Sequence, residues 1–221
     1  MVPQKPPTPP QPSRSAVSAT IAVVDYGGGN MGSLVSALER RGASFVVTAD
    51  PREAAAAGAA ILPGDGAFGS TMEHLAARGL DDAVRTIIAA GKPFLGICVG
   101  MQVLYERSSE YGDHAGLGIF AGAIARFTDA PRVPHMGWNR LELTAAHPFV
   151  RDLAPGSYAY FLHSYRADVG ATTIAAAEHG TRFSAIEARD NVMATQFHPE
   201  KSGPTGAVLL DNFIAIAKAR A

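Results

Sequence analysis

Apolar and polar positions change period several times along the chain, and each change marks an element. "TIAVVD", from Thr20 to Asp25, is β-branched and apolar and stops at "YGGGN". That predicts a buried strand followed by a tight turn. Asn30 then caps a helix through "MGSLVSALERRG", with Gly42 as its stop. "ASFVVTA" predicts a second strand, and "DPREAAAAG" opens a helix with an Asp cap and Pro at its first position. "AAILPGDGAFG" predicts a third strand running into a glycine-rich loop. Helices follow around "TMEHLAARG" and "LDDAVRTIIAAG", and "KPFLGI" is a fourth strand that ends at Cys98.

Strands alternating with helices predict a parallel sheet covered on both faces, wound with right-handed crossovers. The second half changes character. "GIFAGAIARF", "GWNRLEL", "SYAYFLHSYRA" and "RFSAIEARDNVMATQFHP" are strand-like with short connections, and predict an antiparallel extension of the same sheet. "TGAVLLDNFIAIAKARA" spaces Val208, Leu209, Phe213 and Ile216 as a C-terminal helix. The fold class is α/β: an open, mostly parallel sheet with helices on both faces and an antiparallel extension.

Composition adds boundaries. A length of 221 residues suits one α/β domain with a sizeable core. The start, "MVPQKPPTPPQPSRSAVSA", carries six prolines between Pro3 and Pro12 and no apolar stretch of signal-peptide length. Residues 1–17 read as a disordered or polyproline-like leader, and residues 18–221 as one domain. "KPPTPP" has the form that docks in aromatic grooves, although a solvated tail is the plainer reading. A net charge of −1 shows no basic excess for nucleic acid. No run approaches the ~20 apolar residues needed to cross a bilayer. One cysteine cannot form an internal disulfide, which is compatible with a reducing, cytoplasmic setting.

That cysteine carries the candidate chemistry. Gly96-Ile97-Cys98-Val99-Gly100 has the glycine-flanked form of a nucleophile elbow, a sharp strand-to-helix turn that exposes its central side chain. A helix through "VGMQVLYERS" would point its N-terminus at the sulfur and favour a thiolate, and the Val99 amide is placed to donate to an oxyanion. A free cysteine is more often a small buried hydrophobe, so on this stretch alone both readings stand. Among seven histidines, His198 ends the apolar strand "VMATQF" and precedes Pro199 and Glu200. Proline keeps His198 extended, and residues two apart in an extended segment share a side, so Glu200 is placed to orient the ring. Gln102, one helical turn after Cys98, faces the same way. His135 and His163 lack the ligand spacing of a metal site, so no metal is expected there. "PGDG" is not a phosphate loop, because no GK[ST] follows.

"LGICVGMQVL", joined to "QFHPEKSG" far along the chain, resembles a class I, or triad, glutamine amidotransferase over residues 20–220. "VVDYGGGNMGSL", "LPGDGAFG", "VPHMGWN" and "YFLHSY" narrow the resemblance to the glutaminase subunits of imidazole glycerol phosphate synthase. The resemblance implies that Cys98 attacks the side-chain amide of glutamine, that His198 moves the protons and that Glu200 orients His198. Gly64, Asp65 and Gly66 would join Val99 in stabilising the oxyanion; Asp65 departs from the apolar residue common there. Gln102, Glu110, Ser164 and Tyr165 would contact substrate. Asn30, Trp138, Tyr160 and Lys201 would face the partner, a (β/α)8-barrel cyclase in a heterodimer. Ammonia passed to it would convert PRFAR to imidazole glycerol phosphate and AICAR in histidine biosynthesis, and the resemblance implies no metal, nucleotide or organic cofactor for this chain. Three other readings stay open: an amidotransferase feeding another synthase, a stand-alone cysteine hydrolase of γ-glutamyl bonds, and a non-catalytic binding module on the same fold.

Overall fold

The computed structural model describes residues 20–28 and 31–220. The leader and Asn30, with the cap and partner contact expected of it, lie outside the described residues. Among the described residues no helix is long and apolar enough to cross a membrane.

The first half follows its pattern. Strands β1 (Ile21–Val24), β2 (Phe45–Thr48), β3 (Ala59–Leu62) and β4 (Phe94–Ile97) alternate with helices α1 (Gly32–Glu39), α2 (Pro51–Ala56), α3 (Phe68–Ala77) and α4 (Leu80–Ala89). Every residue of β1, β3 and β4 is buried, as strands covered on both faces must be. Asp50 caps α2 as its sequence predicts, its side chain accepting from the Arg52 amide at 2.8 Å. α2 packs on α4 and α4 on α3. The turn after α1 is tied to the C-terminal helix α6 (Gly203–Ala219) by the Arg41–Asp211 ion pair at 2.9 Å.

The central sheet has eight strands. β2, β1, β3, β4 and β14 (Val192–Thr195) run parallel. β13 (Thr181–Arg189), β12 (Thr173–His179) and β9 (Glu142–Leu143) continue it antiparallel, so the predicted extension is present.

The extension is built from fewer of the predicted segments than expected. β7 (Phe120–Arg126) belongs instead to a four-stranded sheet with β5 (Tyr105–Ser108), β6 (His114–Ala115) and β11 (Tyr165–Ala167). β8 (His135–Arg140) and β10 (Tyr158–His163) form a separate two-stranded ribbon. β12 has no clear strand signal, since its central "AAA" suits a helix as well. Its place between β13 and β9 decides the matter.

The helix after Cys98 is also shorter than predicted. It is one turn, α5 (Val99–Gln102). The carbonyl of Leu104 accepts from the Ile119 and Phe120 amides at 2.7 and 2.9 Å, which draws the chain out of the helix and into β5.

Candidate active site

Cys98 and His198 leave two neighbouring parallel strands. β4 and β14 are paired up to Ile97 and Thr195, so both residues emerge together at the carboxyl edge of the sheet. The Cys98 amide donates to the Thr195 carbonyl at 2.7 Å.

The elbow is strained, and glycines make it buildable. Cys98 has φ 55° and ψ −111°, a conformation non-glycine residues rarely adopt. A Cβ on Gly100 would lie 2.0 Å from the Leu62 carbonyl oxygen, and one on Gly64 would lie 2.2 Å from the Gly100 nitrogen. The loop after β3 and the turn after β4 therefore pack backbone to backbone, with no room for side chains.

His198 and Glu200 meet as expected, by a different route. His198 is extended, but Pro199–Lys201 forms a 3₁₀ turn, and the turn brings the Glu200 Oε1 to 2.8 Å from the His198 Nδ1. Both side chains are buried. Burial lowers the proton affinity of the ring, but its hydrogen bonds and charge interactions with Cys98 and Glu200 outweigh that, and its pKa is pushed up to about 10. The imidazole is held as a cation across the neutral range, which makes it a proton donor.

A cavity of about 320 Å³ opens in front of this group. It is lined by Cys98, Val99 and His198 together with Asp65, Gly66, Gln102, Glu110, Ser164, Tyr165 and Lys201. The expected oxyanion and substrate residues are thus brought together, Gly64 excepted. Gly64 lies behind, where Pro63, Asp65 and Glu200 enclose a small void. Lys201, expected at the partner face, lines the pocket as well. Trp138 and Tyr160 are outside it. They stand opposite one another on the β8–β10 ribbon, ring centroids 6.0 Å apart.

Three placements differ from simple expectation. The Asp65 amide donates to the Tyr26 hydroxyl at 3.3 Å instead of standing free for an oxyanion. Glu110 accepts from the Phe68 amide at 2.6 Å and so caps α3, whose own N-cap, Ala67, has no side chain able to do so. The side-chain nitrogen of Gln102 is committed to the Tyr165 carbonyl at 3.0 Å and to Gln196 Oε1 at 3.1 Å.

Sequence reasoning passed over Tyr26, Gln196 and Ser202. Gln196 sets its amide 3.9 Å from the Cys98 sulfur. Ser202 is fully buried and donates to the His198 carbonyl at 2.7 Å while accepting from the Tyr160 amide at 3.0 Å. Its signal was its place at the N-cap of α6, but the hydroxyl serves the His198 turn and not the cap.

Residues 22–217 match the family model of class I glutamine amidotransferases. The chain is 48% identical over 201 residues to imidazole glycerol phosphate synthase subunit HisH of Nostoc punctiforme, covering 88% of this chain and 95% of that protein. It is 43% identical over 203 residues to the HisH subunit of Dehalococcoides mccartyi, covering 89% and 97%. Its fold is that of a crystal structure of a glutamine amidotransferase, with TM-score 0.69, 20% identity and coverage of 89% of this chain and 98% of that one. The chain belongs to the class I glutamine amidotransferases and, within them, to the HisH family of imidazole glycerol phosphate synthase subunits.

Proposed function

We propose that this chain hydrolyses glutamine to glutamate and ammonia, and that the ammonia serves imidazole glycerol phosphate synthesis in histidine biosynthesis. The observation that carries the reading is the contact between buried His198 and Glu200 beside a strained, pocket-facing Cys98.

The chemistry follows from the geometry. The Cys98 sulfur, its proton passed to His198, attacks the side-chain amide carbon, and the carbonyl oxygen becomes an oxyanion held by the Val99 amide and a peptide amide of the Gly64–Gly66 loop. The protonated His198 ring gives its proton to the nitrogen, the C–N bond breaks, and ammonia leaves. A γ-glutamyl thioester remains. Water attacks it, His198 takes the water proton, the C–S bond breaks, and glutamate departs with the Cys98 sulfur and the protonated ring restored. Glu200 holds the ring in place and balances its charge.

Ammonia is useful only unprotonated, so release to water would waste it. A (β/α)8-barrel cyclase docked against this chain receives it and converts PRFAR to imidazole glycerol phosphate and AICAR. The exposed face of the β8–β10 ribbon is the candidate docking face: Met136, Trp138, Tyr158 and Leu162 are 62%, 56%, 53% and 39% exposed. We place the pair as a cytoplasmic heterodimer.

The test is glutamate release from glutamine by the chain alone, with the cyclase, and with cyclase plus its ribulosyl ligand, with Cys98→Ala as control. Low activity alone that rises with the liganded cyclase supports the reading. High activity indifferent to the cyclase indicates an independent hydrolase, and activity that survives Cys98→Ala removes the assignment.

A further inference from the structure

The β8–β10 ribbon has two faces. Met136 and Trp138 on one strand and Tyr158 and Leu162 on the other point outward, while His135 and His163, directly opposed in register, are buried on the inner face. The His135 Nδ1 and the His163 Nε2 lie 3.0 Å apart. His163 Nδ1 is 2.9 Å from the Tyr165 carbonyl, and Asn139 Nδ2 is 3.2 Å from His135 Nε2.

These contacts allow only one arrangement of protons for neutral rings. The Tyr165 carbonyl only accepts, so His163 carries its proton on Nδ1 and its Nε2 accepts. His135 must then donate from Nδ1, which leaves its Nε2 to accept from the Asn139 amide. That amide also donates to the Glu178 carbonyl at 2.8 Å, which anchors the outer end. Burial supports neutrality, lowering the pKa of His163 to about 3 and of His135 to about 4. The inner end is the pocket: the Tyr165 carbonyl also accepts from Gln102, which reaches Gln196 and, through it, the neighbourhood of the Cys98 sulfur.

We infer that His135 and His163 are positioning residues for the glutamine pocket, a one-way hydrogen-bond relay from Asn139 that fixes the Tyr165 carbonyl and, through it, the Gln102 amide. The inference rests on the proposed glutaminase reaction. Neither histidine touches the reacting atoms. His163 and Tyr165 both line the pocket, so a slack relay widens the substrate site before it disturbs the triad.

The test compares His135→Phe, which keeps a ring but no donor, with His135→Asn, which keeps a donor near the Nδ1 position. Glutamine hydrolysis is measured with the cyclase bound. The expected result is a KM for glutamine raised about tenfold by His135→Phe with kcat held within about twofold, and most of the loss recovered by His135→Asn. A fall in kcat or folded fraction at unchanged KM, or no recovery with Asn, overturns the relay. Nitrogen-15 spectra of the imidazoles in the wild-type chain test it without relying on activity or on a variant folding. Both rings should be neutral with the proton on Nδ1, and a proton on Nε2 of either ring overturns the inference. If the wild-type chain turns over no glutamine, the proposed function fails, and the spectra still decide the relay.

Discussion

The backbone amide of Asp65 donates to the hydroxyl of Tyr26 across 3.3 Å. Tyr26 is buried. An amide engaged there is unavailable to an oxyanion, so Tyr26 restrains the loop that faces Cys98. Tyr26→Phe should raise glutamine turnover by the chain alone about fivefold, the factor that a hydrogen bond of about 1 kcal/mol is worth. Unchanged or lower turnover would show that this amide does not limit the resting activity.

Glu200 acts on His198 through one contact of 2.8 Å. Glu200→Gln keeps the shape and removes the charge that helps hold the ring protonated. The expected kcat falls about 100-fold or more. The alkaline limb of its pH profile moves below the value of about 10 set for the wild-type ring. An alkaline limb that stays in place would assign it to another group.

Gly100 has no space for a side chain, because its Cβ would meet the Leu62 carbonyl oxygen at 2.0 Å. Gly100→Ala must separate the β3 loop from the elbow, at a cost of about 3 kcal/mol or more. Gly170, with nothing within 4 Å of an added Cβ and no left-handed backbone, is the control, and Gly170→Ala should change stability by less than about 1 kcal/mol. Urea midpoints of the two variants test the contrast.

Stability should peak near pH 6.5, where two proton linkages of opposite sign meet. His135 and His163 stay neutral in the fold, with pKa values lowered to about 4 and about 3. Below 6.5 the unfolded chain binds more protons than the folded one, so stability is lost as pH falls through that window. His198 has its pKa raised to about 10, so between 6.5 and that value the folded chain binds more protons, and stability is lost as pH rises. Denaturant midpoints across this range should trace a dome, and a flat profile would contradict both linkages.

Trp138 exposes over half of its surface on the ribbon, with its ring edge-on to Tyr160. Trp138→Ala should leave the thermal midpoint of the free chain nearly unchanged and weaken cyclase binding by about 2 kcal/mol, as loss of an aromatic anchor does. Calorimetric titration separates the two, and unaltered affinity would move the docking face elsewhere.

The sequence by itself determined the first half of the sheet and singled out Cys98, His198 and Glu200 as the candidate group that the fold brings together. Apolar strands such as "TIAVVD" and "KPFLGI" are buried on both faces, so their signal is local and strong. The glycines around Cys98 and the proline after His198 act on their own backbone, so the elbow and the extended histidine were also legible. Tertiary structure alone decided what depends on partners distant in the chain. The helix after Cys98 stops at Gln102 because Leu104 pairs with the chain near Phe120. β12 is a strand because β13 and β9 flank it, and β8 with β10 leaves the main sheet to form a ribbon. Tyr26 against Asp65, Ser202 against Tyr160, and the His135–His163 pair join residues 28 to 42 positions apart. No periodicity records such contacts, because a hydrogen bond between groups distant in the chain leaves no mark on the local pattern of either partner.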